Sequence, residues 1–113
     1  AHAWQDLRHG VAYVRNIARG LLAADAADTT AYETGAAAFA ARLEALDAWV
    51  RAQIGTVPEA RRKVVASHDT FGYFGAAYGV RFLAPQGVST EGEPSAQQVG
   101  NLIRQIRAEN ITA

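Results

Sequence analysis

The chain has no cysteine and no methionine among its 113 residues. Without cysteine there is no disulfide framework and no thiolate metal site, although the compartment stays open. Charge of one sign is also missing, because eleven basic and eleven acidic residues cancel. No basic stripe argues for nucleic acid, and no acidic tail argues for a cationic partner. The longest apolar runs, such as 35–41, fall well short of the roughly 20 residues that span a bilayer. No glycine-rich phosphate loop is present, since Gly87, Gly92 and Gly100 lack the spacing and the context. The chain opens on Ala1-His2-Ala3-Trp4 with no initiator methionine and no signal segment, so its ends read as cut.

What is present is hydrophobic residues in periodic order. They make up 50% of the chain, enough for a core and too many for disorder. Trp4, Leu7, Val11, Val14, Ala18 and Leu21 recur at steps of three and four, which predicts one helix with Asp6 in its first turn. A polar break at 24–30 offers N-caps in Asp28, Thr29 and Thr30. A long helix is expected over 30–54, carrying a stripe of Tyr32, Ala36, Phe39, Leu43, Leu46, Val50 and Ile54. Gly55 and Pro58 end it.

After Pro58 the pattern changes. The β-branched run at 63–67 predicts a buried strand, and Asp69 is placed to cap a short helix over 70–78 that Gly79 stops. A second strand is expected at 80–84, a loop at 85–92 and a helix opened by Pro94 and closed by Asn110. A third strand begins at Ile111. Strand, helix, strand, helix, strand is the order of a parallel α/β sheet. The fold class is therefore α/β, with a helical first half.

Few side chains could carry chemistry. His68 is expected at the C-terminal end of a strand, the edge where open α/β sheets gather ligands. A capping role is its plain alternative. His2 by itself is an ordinary terminal histidine, and His9 is expected to be solvated on a helix. Ser67-His68-Asp69 contains the three triad residue types, but adjacent residues cannot form the relay. Phe71, Phe74 and Tyr78 fit a packed helix face. No catalytic residue is assigned, and spacing alone gives no metal signature.

Three segments change the picture. His2-Ala3-Trp4-Gln5-Asp6 resembles the Asp-Pro-His-x-Trp-x-Asp segment of the zinc and manganese receptors of ABC importers, the cluster A-I solute-binding proteins. Ser67-His68-Asp69-Thr70-Phe71-Gly72-Tyr73-Phe74 resembles that family's Ser-His-Asp-x-Phe-x-Tyr-Phe segment. Ser89-Thr90-Glu91-Gly92-Glu93-Pro94-Ser95 is similar to its Ser-Thr-x-x-Glu-Pro-Ser loop. Ala1 departs from the pattern, standing where the family has proline.

The resemblance implies two α/β lobes joined by one long helix, with a metal ion between them. Residues 1–28 would end the N-terminal lobe, 29–57 would form the connecting helix, and 58–113 would be the first half of the C-terminal lobe. His2 and His68 would be two of four metal ligands, leaving the site incomplete in this chain. Histidine at the second of these positions favours zinc over manganese, because imidazole suits zinc and carboxylate suits manganese. Glu91 and Glu93 are weak substitutes for a missing carboxylate. Asp69 and Trp4 would orient or shield the imidazoles.

The implied role is non-enzymatic: capture of metal in the periplasm, or at an extracytoplasmic membrane anchor, and delivery to an ABC permease. Membrane contact would come only through that anchor or permease. As a fragment the chain would expose strand edges and apolar helix faces, and is expected to form a homo-oligomer. The alternative is a self-associating structural or adhesion module with no working metal site.

Overall fold

Asp6 starts the first helix from just outside it. In the computed structural model, which describes residues 2–67, 69–84 and 94–112, Asp6 has extended backbone and its carboxylate accepts the Arg8 N–H at 3.0 Å. It is thus the N-cap of α1 (Leu7–Ala24), and not a first-turn residue as expected. Trp4 lies before the helix in a short 3-10 turn, Ala3–Gln5, and is 61% exposed, so it does not belong to the buried stripe. Val11 is buried, with Leu7, Val14 and Ala18 half-buried on the same face.

Asp25 closes α1 and prepares the next helix. Its N–H bonds Leu21 O at 2.8 Å, and its carboxylate accepts the Ala27 N–H at 3.0 Å and the Tyr32 hydroxyl at 2.9 Å. From there α2 (Thr29–Gly55) runs 27 residues without a break, through Gly35. At about 1.5 Å per residue it is about 40 Å long.

The face that α2 turns inward is one step round from the expected stripe. Thr29, Tyr32, Ala36, Leu43, Asp47, Val50 and Ile54 are half-buried and Ala40 is buried. Phe39 and Leu46, expected inside, are 48% and 44% exposed. A Cβ added at Gly10 would lie 3.4 Å from Leu43 Cδ1. The bulkier Phe39 and Leu46 are turned out of that contact.

Residues 3–53 form one compact unit; His2 groups with the residues from Ile54 onward in another. In the latter, β1 (Lys63–Val65) and β2 (Arg81–Leu83) pair in parallel, with Lys63 opposite Arg81, Val64 opposite Phe82 and Val65 opposite Leu83. Both strands are shorter than expected. They are joined by α3 (Gly72–Tyr78), whose end is set by Gly79 in the left-handed region at φ 71°. Phe82 packs between Phe71, stacked at 4.8 Å, and Phe74, edge-on at 6.1 Å. Tyr78 and Val80 are buried beside them. The aromatic cluster is therefore core, as its spacing implied. Gly75 is there for space, because a Cβ would come within 2.5 Å of Val80 O.

Three local expectations fail here. Asp69 does not cap α3; Phe71 occupies the N-cap position with no side-chain bond. Pro94 does not open the last helix, α4 (Ala96–Ala108). Ser95 is its N-cap, forming a reciprocal box in which Gln98 N–H donates to Ser95 Oγ at 3.2 Å and Ser95 N–H to Gln98 Oε1 at 2.7 Å. Ile111-Thr112 is not a strand. Asn110 turns left-handed at φ 49°, and the Ile111 N–H is spent on Ile106 O at 3.0 Å, completing the helix end. The sheet has two strands among the described residues. Glu109 ties the end of α4 to it, bonding Lys63 Nζ at 2.8 Å and Arg81 Nη1 at 2.9 Å. The expected loop at 85–92 lies outside the described residues.

Candidate metal centre

His2 is half-buried and has φ 65°. For a residue with a side chain the left-handed region costs roughly 1–2 kcal/mol. In the next turn Ala3 O accepts two bonds, from the Asp6 N–H at 3.1 Å and from His9 Nδ1 at 3.2 Å. A carbonyl can only accept, so Nδ1 of His9 carries the proton. His9 is thus half-buried and engaged, not solvated.

Asp6 organises the same turn from its other end. Only 5% of Asp6 is exposed, and its two oxygens take a fork of bonds from Arg8, Nε at 3.1 Å and Nη2 at 2.8 Å. The hydrogen bond from the Arg8 guanidinium is the largest influence on this carboxyl and holds it below its ordinary value. The Asp of the His-x-Trp-x-Asp segment is therefore a cap and a clamp, a role its spacing from His2 did not reveal. Gln5 Oε1, in the same turn, is buried without a hydrogen-bond partner among the described residues.

His68 lies outside the described residues, as do Glu91 and Glu93. Its flanks are described. β1 ends at Val65, the Ala66 N–H still bonds Leu83 O at 2.8 Å, and Ser67 and Asp69 are exposed beyond it. The chain thus leaves the C-terminal edge of a parallel pair there, where α/β sheets bind ligands. His2 belongs to the same compact unit as this edge. Trp4 and Asp69, expected to shield or orient the imidazoles, are both exposed. No group of three or more His, Asp or Glu able to hold an ion occurs among the described residues.

The model of the ZnuA family, the periplasmic component A of zinc-uptake complexes, matches residues 1–113. The chain belongs to this family. Among its relatives is the metal ABC transporter substrate-binding lipoprotein FimA of Streptococcus parasanguinis, 33% identical over 112 residues, 99% of this chain and 36% of FimA. The iron ABC transporter substrate-binding lipoprotein MtsA of Streptococcus pyogenes is 34% identical over 106 residues, 94% of this chain and 34% of MtsA. The periplasmic zinc-binding protein TroA of Treponema pallidum superposes with a TM-score of 0.88 at 33% identity, over 96% of this chain and 39% of TroA. The chain therefore spans about a third of the length of the curated relatives it matches. Substrate-binding lipoprotein names a receptor and not a catalyst. No helix among the described residues is long and apolar enough to cross a membrane.

Proposed function

We propose that these residues are the middle part of an extracytoplasmic metal receptor that delivers its ion to an ABC permease, with His2 and His68 as two ligands of the cargo. Residues 1–28 close the first lobe, 29–57 are the connecting helix and 58–113 begin the second lobe. The observation that carries this is the pairing of motif and position. His2 has φ 65° and shares a compact unit with the C-terminal sheet edge that the chain leaves at Ser67. An unbroken α2 suits a rigid strut.

Two imidazoles favour zinc, with manganese behind it. Relatives named for iron and for zinc show that the family is not tied to one ion. The remaining ligands come from parts of the receptor beyond this third of its length. Being a receptor, it needs no catalytic group, and membrane contact is through an anchor or the permease.

The test is metal titration of the receptor that carries these residues, with zinc, manganese and iron in parallel. His2→Ala and His68→Ala should each weaken zinc by more than the roughly 10–100-fold that changes around a metal site's ligands cost. Unchanged affinity in either variant removes that histidine from the site. No saturable heat with any of the three ions would leave a non-binding interaction module as the better account.

A further inference from the structure

We infer that the outer edge of β1 is a pairing surface, covered in the receptor by a third parallel strand from the segment beyond residue 113. The inference rests on the reading above of this chain as the middle part of a longer receptor. Backbone alternation identifies the edge. Arg62 O accepts the Arg81 N–H at 2.8 Å, and the Ala66 N–H donates to Leu83 O at 2.8 Å. Residues 62, 64 and 66 therefore turn their backbone groups toward β2, and Lys63 and Val65 turn theirs away. Neither of those outward N–H groups has a backbone partner among the described residues, although both residues are half-buried. A half-buried strand with an open edge is a template for another strand.

The end of α4 says which strand fits. A parallel partner must enter at the end of the sheet where β1 and β2 begin, and Glu109 fastens the end of α4 there through Lys63 and Arg81. Asn110 then turns the chain at φ 49°. Ile111 and Thr112 come to line a cavity of about 110 Å3 with Ala60, Arg61 and Lys63, beside the start of β1 and not of β2. A chain continuing from there meets the open edge of β1 at its first residue. The receptor has the length to supply it, since this chain covers 36% of FimA. The strand order is then β2, β1, third strand, which reverses direction at β1. Open α/β sheets bind ligands outside the carboxyl end of the strands at such a reversal. That is where Ser67 leaves the sheet, one residue before the proposed ligand His68.

Amide hydrogen exchange followed by NMR tests this in the metal-free receptor and in the 113-residue chain. Val64, whose N–H faces β2, is the internal control. Lys63 and Val65 should exchange at least about 100-fold more slowly in the receptor than in the chain, with Val64 protected in both. Amide-to-Hα Overhauser contacts from Lys63 and Val65 should lead to residues after 113. Fast exchange of both in the receptor, with Val64 slow, overturns the inference, and so do contacts to the segment that precedes this chain. Slow exchange already in the chain overturns it too, and a doubled sedimenting mass then names a second copy as the occupant. If the chain unfolds by itself, the receptor measurements decide alone. Zinc titration of the same receptor keeps the two readings apart. An open edge in a receptor that binds zinc sinks only this inference; a covered edge in one that binds none sinks only the ligand roles.

Discussion

Replacing Asp6 by alanine should cost far more than an exposed acid at a helix start would. Three contacts are lost together: the cap on the Arg8 N–H at 3.0 Å and the two guanidinium bonds at 3.1 and 2.8 Å. Loss of an N-cap costs about 1 kcal/mol. The ion pair is worth less, because the Arg8 side chain is 63% exposed; screened by water it adds about 0.5 kcal/mol. The sum, about 1.5 kcal/mol, lowers the unfolding midpoint by roughly 5–10 °C in a chain of this size. Asparagine keeps the oxygen that caps the Arg8 N–H and loses the charge and the second acceptor, so Asp6→Asn should fall by less than half as much.

The pH dependence has a definite sign. The Asp6 carboxyl titrates below its ordinary value of 3.8 in the folded chain, chiefly through the Arg8 hydrogen bond. A depressed carboxyl contributes stability above the unfolded value and loses it as pH falls through the folded one. Wild type should therefore exceed Asp6→Asn at neutral pH and converge on it in acid. Thermal unfolding by far-UV circular dichroism at several pH values measures this. An alanine variant as stable as wild type at neutral pH, or a wild type still ahead of Asp6→Asn well below the folded value, refutes the reasoning.

Two helix glycines should respond to alanine in opposite directions. At Gly35 an added Cβ meets nothing within 4 Å, and at Gly75 it would lie 2.5 Å from Val80 O. Chemical denaturation should find Gly35→Ala more stable by about 1 kcal/mol and Gly75→Ala less stable by about 2 kcal/mol. Glu109→Gln should destabilise the end of α4, because it removes the negative charge that Lys63 and Arg81 share. The Lys63 contact is the main cause that holds the Glu109 carboxyl below its ordinary 4.5, so the variant's deficit should appear above that pH and fade in acid. It should also shrink as salt is raised, since these are exposed or part-exposed charges.

Local pattern was enough to find the elements. Period 3.6 located α1, α2 and α4, a β-branched run located the first strand and the short segment at 80–84 the second, and their alternation implied the parallel pairing of Lys63–Val65 with Arg81–Leu83. Gly79 and Asn110 stop their helices in the left-handed region, as residues of their kind do. The segments around His2 and Ser67 were also visible as short runs of residue types, and the family they resembled is the one whose model matches residues 1–113.

Other features depend on what each residue meets. Phe39 and Leu46 satisfy the helical period but are exposed, whereas Ala40, one step round the helix from Phe39, is buried. Ser95, not Pro94, caps α4 because the cap goes to the side chain that can exchange two bonds with Gln98. The strand expected at Ile111 is absent because its N–H is already committed to Ile106. Periodicity and residue type are properties of the chain alone, and so determined which helices and strands form and which family's motifs they carry. The burial of Asp6 and the bond from His9 to Ala3 were decided only in the tertiary structure, because each depends on where a second segment ends up.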